Sequence, residues 1–382
     1  MFKIVTALFL LALAALGAAG LVTPGIDARL NPVVAGDAAE ASARARALHD
    51  SLAVADLHSD MLLWDRNHRA RQGRGQTDLA RLREGGVALQ VFSTVTASPK
   101  GQNFDANDIA SGDRITTLAL AQGWPLATLG SLRARAVLQA ERLVALERAG
   151  ELTILRSAAD MDAPGLRGLL LTEGAHPLEG ELANIDHLYA AGYRAMGLTH
   201  FFDNALGGSM HGRSQGGLTE FGQAAVDRMA ERGILIDLAH ASPAMARDVL
   251  DRVEGPVFVS HTGIAGACPG TENRNLSDAT LQRIAGGGGI VGIAFFEGAI
   301  CDISAGGVAD TIVAAVALLG EHAVALGSDF DGTVATSFDA SELVRLTDAL
   351  LARGVSERVI RKVMGENVER FLRDTLPDER IP

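Results

Sequence analysis

The chain has no long run of Lys or Arg, no internal repeat, and no low-complexity block beyond the glycines of Gly286–Gly289. Lys and Arg number 34 against 46 Asp and Glu, a formal net charge of −12. A nucleic-acid partner is therefore not expected, because a phosphate backbone must be met by clustered Lys and Arg. Cysteine is almost missing. Cys268 and Cys301 are the only two, so one disulfide or two buried free thiols are the available states.

What is present suits a large globular domain. Hydrophobic residues make up 48% of the 382 and charged residues 21%, enough to build a substantial core. The 43 glycines suit a chain with many tight strand-to-helix turns. Lys3 precedes an apolar run from Ile4 to Val22, which Pro24-Gly25 interrupts. Such a segment directs export. Gly17, Ala18 and Ala19 suit a cleavage site, yet the run also approaches the roughly 20 residues that span a bilayer. Residues 1–25 are thus expected to be a signal peptide or an N-terminal membrane anchor. Residues 26–45, broken by Pro32 and Gly36, read as a linker and entry arm, and residues 46–382 as one domain working outside the cytoplasm, in a periplasmic or similar compartment.

Short apolar runs then alternate with amphipathic stretches. Strands are expected at Leu52–His58, Val87–Val95, Gly168–Glu173, Tyr193–His200, Ile234–His240, Pro256–His261, Ile290–Phe296 and Ala323–Asp329. Most are continuously apolar, as parallel strands buried on both faces must be. Helical patterns such as Leu218–Arg232 and Pro243–Arg252 lie between them. Eight strand–helix units favour closure into a (β/α)8 barrel over an open sheet. Extra helical segments are expected at Ser131–Arg148, Ser341–Arg353 and Glu357–Arg373, with a short outlying strand at Leu152–Arg156.

In such a barrel the chemistry sits where the strands end. The expected ends carry His58 and Asp60, Glu173, His200, His240, His261 and Asp329. Residues two apart on a strand share a face, so His58 and Asp60 converge on the barrel axis, and an imidazole with a carboxylate suits zinc or a similar ion. Alone, that pair reads first as a satisfied buried couple. His240 and His261 close consecutive strands, within reach of one metal, and Glu173 is a carboxylate at the end of an otherwise apolar strand. A buried charge there needs a partner, which a bridging position between two metals or a salt bridge to a barrel Arg provides. Asp56, Asp237 and Asp331 read as hydrogen-bonding residues; His49, His68, His187 and His322 read as surface or packing residues, and His176 is left open.

These stretches resemble the membrane (renal) dipeptidases, zinc metallopeptidases of the amidohydrolase-like barrel type. The resemblance is carried by Asp56-Leu57-His58-Ser59-Asp60, Leu79–Val87, Thr172-Glu173-Gly174 and Gly197-Leu198-Thr199-His200. It continues through Ile236–His240, Ser260-His261-Thr262, Arg274-Asn275 and Gly327–Gly332. It implies two Zn2+ ions, one held by His58 and Asp60 and the other by His240 and His261, with Glu173 bridging. It further implies that His200 contacts the scissile group, Arg274 binds the substrate carboxylate, and Asp329 handles the proton. The activity implied is hydrolysis of dipeptides by a hydroxide activated between the metals, including those with a D-residue at the C-terminal position. A homodimer, and a Cys268–Cys301 disulfide, belong to the same resemblance. This chain departs from the family pattern at Gly174-Ala175, at Phe296 and in the shorter loop that holds Asn204 and His211, all near the substrate pocket.

Two rivals remain at this level. The same barrel serves cyclic amidases, lactonases and phosphotriesterases, but those commonly bridge their metals with a modified Lys where this chain has His200. An exported binding protein that has lost its chemistry is the other, and the complete ligand set speaks against it.

Overall fold

The computed structural model describes residues 23–34 and 40–378. The apolar run Ile4–Val22, expected to be a signal or anchor, lies outside the described residues. Among the described residues no helix is long and apolar enough to cross a membrane.

The strands are β1 (Val54–Ser59), β2 (Val87–Val95), β3 (Thr153–Ile154), β4 (Arg167–Glu173), β5 (Tyr193–Gly197), β6 (Leu235–Asp237), β7 (Phe258–Thr262), β8 (Ile290–Ile293) and β9 (Val324–Leu326). All pair in parallel. The ladder runs β1–β2–β4–β5–β6–β7–β8–β9, and β9 returns to β1 through Asp56↔Leu326. That closed ring is the expected (β/α)8 barrel. The short strand β3 adds to β4 from outside through Thr153↔Arg167 and Ile154↔Gly168.

Local chemistry starts the surrounding helices. Ser and Thr side chains accept from the first free backbone N–H groups and satisfy donors the helix cannot. Thr219 caps Glu220–Glu231, Ser242 caps Pro243–Arg252, Ser277 caps Asp278–Gly286 and Ser304 caps Ala305–Leu319. The helix expected over Glu357–Arg373 passes through a π-helical turn at Lys362–Glu366 and ends at Thr375. Gly365 lies in that turn, where a Cβ would sit 1.9 Å from the Ala53 carbonyl oxygen.

The core has two layers. One fills the space between barrel and helices and includes Phe92, Leu170, Met196, Val259 and Ile293. The other draws on every strand of the ring, among them Leu57, Leu89, Leu169, Ala195, Leu235, Phe258, Ile290 and Ala325. Only the barrel interior touches all eight strands. Val368, Phe371 and Leu372 of the last helix join this second layer and close it.

Two expectations are corrected. Several strands stop earlier than their apolar runs, so His200, His240 and Asp329 stand in the loops that follow β5, β6 and β9. The runs continue because those loop residues are buried as well. Residues 23–30, expected as the end of the signal or anchor segment and the start of the linker and entry arm, are helical. A second helix, Ala43–His49, also starts inside the stretch expected to be linker.

Candidate metal centre

The mouth of the barrel gathers the expected residues within one cluster. His58 in β1 is fully buried, and its Nε2 lies 3.5 Å from Glu173 Oε1, 3.7 Å from Asp60 Oδ1 and 3.8 Å from Asp329 Oδ1. Glu173, the last residue of β4, also meets His240 Nε2 at 3.2 Å, His261 Nε2 at 3.5 Å and His200 Nε2 at 3.6 Å. Donor atoms of His58, Asp60 and Glu173 lie within 4.8 Å of one another, and so do those of Glu173, His240 and His261. The two groups share Glu173. A third such group is His58, His261 and Asp329.

The backbone is bent to make this possible. His240 and Asp329 both have φ of 62°, a left-handed conformation unfavourable for residues with a side chain. Such strain persists where the surroundings over-determine it, most often at functional sites. Gly332 then passes so close that a Cβ would sit 2.0 Å from Asp329 Oδ1. In β1 the register against β2 shifts between Asp56 and Ser59, so Leu57 joins the interior apolar layer while His58 still reaches the cluster. Simple alternation along the strand does not describe this stretch.

The neighbours of the ring nitrogens point to one set of tautomers. Ser260 Oγ donates to Asp237 Oδ2 at 2.6 Å. With its proton spent there, it accepts from His58 Nδ1 at 3.1 Å and from His261 Nδ1 at 2.8 Å. On the other side His240 Nδ1 donates to His211 Nε2 at 3.0 Å, and His211 Nδ1 faces the Phe104 carbonyl at 3.4 Å. All three histidines therefore turn bare Nε2 lone pairs toward Glu173. His240 Nε2 and His261 Nε2 lie 3.0 Å apart with no proton to share, and His58 Nε2 and Asp60 Oδ1 have no hydrogen-bond partner among the described residues. Lone pairs and carboxylates converging in a dry site repel one another unless a cation lies between them. The residues fit a divalent metal with nitrogen and oxygen ligands.

The titration behaviour follows from the same crowding. Burial raises the carboxyls of Asp60, Glu173 and Asp329 above their ordinary range, and their mutual repulsion adds to the rise at Glu173 and Asp329. Burial, and then the Arg274 charge, hold His58 down to about 3. His240 and His261 are lowered for the same first reason. Neutral imidazoles are what a metal requires.

Arg274 faces the cluster from the loop after β7. It is 2% exposed, lies over the Phe296 ring at 5.3 Å, and its Nε and Nη2 have no hydrogen-bond partner among the described residues. Cys268 and Cys301 are bonded to each other. They tie the loops after β7 and β8, which hold Arg274 and Phe296. A cleft of about 600 Å³ joins Arg274, His200 and Asp329 to Asp60, Glu173 and His240.

The remaining expectations sort by contact. Asp56 accepts from the backbone N–H and the hydroxyl of Ser328 at 2.8 and 2.6 Å, and Asp331 accepts from Gln76 N at 2.8 Å, so both brace loops. Asp237 braces Ser260 and through it two rings. His176 stacks on Phe202 at 4.2 Å, and His49 is buried against Thr347 and Gly85. The sequence reading missed Ser260 and His211 as ring partners. Ser260 was visible beside His261 in β7; nothing near His211 in the chain marks it.

Comparison with known proteins points one way. The family model described as Membrane dipeptidase (Peptidase family M19) matches residues 42–378. A dipeptidase of Aspergillus oryzae, aclJ, is 35% identical over 223 residues, 56% of this chain and 52% of that protein. The chain thus matches about half the length of that relative. An amidohydrolase from Pseudomonas aeruginosa superimposes with a TM-score of 0.68 at 24% identity, covering 87% of this chain and 99% of that one. A metallo peptidase from Rhodobacter sphaeroides, liganded with a phosphinate mimic of the dipeptide L-Ala-D-Ala, gives 0.68 at 24% identity, covering 85% and 99%. At these identities the structural likeness speaks to the fold.

Proposed function

The chain belongs to the membrane dipeptidase family, and on that premise we propose that it hydrolyses the peptide bond of dipeptides at the cluster around Glu173. The observation that carries the reading is the cleft itself: two donor groups sharing Glu173 stand opposite a buried guanidinium whose Nε and Nη2 have no hydrogen-bond partner among the described residues. Two zinc ions suit the set: His58 and Asp60 would hold one and His240 and His261 the other, with Glu173 available to both. Bound there, a metal pair polarises a carbonyl and lowers the pKa of a water.

The chain's own residues do the rest. Arg274 receives the free carboxylate of the substrate, for which a planar guanidinium offers a matched fork. That contact sets the distance from the C-terminus to the scissile bond and restricts cleavage to dipeptides. His200 faces the carbonyl oxygen and steadies charge as it develops. Asp329 as its carboxylate, made more basic by burial, takes a proton from the attacking water and then delivers it to the leaving nitrogen as the C–N bond breaks.

A D-residue at the C-terminal position belongs to the proposal, supported by the L-Ala-D-Ala mimic in the Rhodobacter sphaeroides relative. So does work outside the cytoplasm, with residues 1–25 as signal or anchor, which the disulfide supports. A homodimer rests on the resemblance alone. The test is product analysis with the full chain, stripped of metal and then resupplied with zinc, on L,L and L,D dipeptides and on tripeptides. Dipeptides of both kinds should be cleaved only after zinc is restored. Cleavage without metal, or of tripeptides equally well, contradicts the reading.

A further inference from the structure

The helix of residues 23–30 and the strand-like segment after it precede the region the family shares, which starts at residue 42. The contacts of this segment pin it across the barrel mouth. Asp27, 2% exposed, accepts from Arg74 Nε at 2.9 Å and lies 3.4 Å from Arg66 Nε. Asn31 donates to Asp27 at 2.9 Å and accepts from Thr333 N at 2.8 Å. Gln76 Nε2 donates to the Pro32 carbonyl at 3.1 Å, and Val34 N donates to Thr336 O at 2.8 Å. Thr23 Oγ1 reaches Ala121 O at 3.3 Å. These anchors lie in the loops after β1 and β9 and in the helix Arg114–Ala121.

So held, the arm turns Ile26 and Leu30 into the same cleft that contains Glu173 and Arg274. There they complete an apolar compartment with Leu63, Trp64, Ile115 and Leu118. This compartment belongs to the loops after β1 and β2. Arg274 belongs to the loop after β7, and β2 and β7 stand on opposite sides of the ring. A substrate with its carboxylate on Arg274 and its scissile bond at the central cluster must extend its N-terminal residue toward Leu30.

We propose that the N-terminal arm is a specificity wall of the substrate site, and that Ile26 and Leu30 select dipeptides whose N-terminal residue is large and apolar. The inference rests on the dipeptidase reading above. Polar N-terminal side chains would be stripped of water against Ile26 and Leu30, whereas leucyl or phenylalanyl side chains gain by burial there.

The test compares leucyl-alanine, phenylalanyl-alanine and glycyl-alanine as substrates of the full zinc-loaded chain. The double variant Ile26→Ala/Leu30→Ala should raise KM for leucyl-alanine about tenfold and leave kcat/KM for glycyl-alanine within about twofold. Leu30→Trp, which fills the compartment instead, should depress phenylalanyl-alanine cleavage and again spare glycyl-alanine. Thermal midpoint and zinc content are followed in each variant, so that a folding defect is seen as such. An equal change on all three substrates, or none on any, overturns the arm's role while leaving the dipeptidase reading intact. Failure of the unaltered chain to cleave any of the three overturns that reading, and this inference with it.

Discussion

The two ends of the barrel interior are built by the same strands and have opposite chemistry. Toward the strand starts, Leu89, Leu169, Leu235, Phe258 and Ile290 form an apolar layer that Phe371 and Leu372 seal. Toward the strand ends, the chain buries His58, Asp60, Glu173, His240, His261 and Asp329. One end gains stability from burial; the other gives it up by crowding like charges and bare lone pairs in a dry place. The same contrast separates two arginines, each 2% exposed. Arg135 donates to the carbonyls of Thr128 and Thr96 and to Asp113 and Thr116. Arg274 leaves two nitrogens without hydrogen bonds among the described residues. A paired buried charge holds a fold together, and an unpaired one waits for a ligand.

The largest effect should come from the mouth. Glu173→Gln removes the residue both donor groups share, so activity should fall about a thousandfold or more. The metal-free protein should not be destabilised, because a source of repulsion has gone; its thermal midpoint should hold or rise. A lower midpoint would break the comparison. At the floor, Phe371→Ala should cost about 3–5 kcal/mol in urea unfolding, with the zinc content of the folded protein unchanged.

The arginines sharpen the contrast. Arg135→Met leaves Asp113 without its partner and should cost about 3–5 kcal/mol, with no change in KM. Arg135 and neighbouring hydrogen bonds outweigh burial and hold the Asp113 carboxyl below its ordinary range. Its folded pKa is thus lower than its unfolded one, so this stabilisation is present above the unfolded value. It is lost as pH falls through the folded value, and the gap between wild type and variant should narrow in acid. Arg274→Met should leave stability nearly unchanged yet reduce kcat/KM on dipeptides about 100-fold. Dipeptide amides, which lack the carboxylate, should respond little. The smallest effect expected is that of Ser260→Ala. It frees the Nδ1 atoms of His58 and His261 and should weaken zinc binding about 10–100-fold in a chelator competition.

Much of this was legible in the chain because a parallel barrel buries its strands on both faces. Leu169-Leu170-Leu171 and Val257-Phe258-Val259 have no other reading than strand, and a Glu or His closing such a run stands out by its chemistry. The stops were less legible. Leu198-Thr199 and Leu238-Ala239 continue the apolar runs after the ladder has ended, since the loops are buried too. Ring partners such as His211 depend on contacts between distant segments, and no local pattern encodes them. The docking of the arm is not legible locally: Pro24 and Gly25 look like breakers, while the bonds that hold Asp27 and Asn31 reach residues about fifty and three hundred positions away.

The central claim is that the charged end of the barrel is a two-metal hydrolytic centre. Titrating zinc into the metal-stripped full chain, while following both bound metal and hydrolysis of alanyl-D-alanine, tests it most directly. Activity should be absent without metal and reach its plateau at about two equivalents per chain, and Glu173→Gln should bind less and cleave nothing. Hydrolysis that persists without metal, or metal uptake that restores no cleavage, would contradict the account.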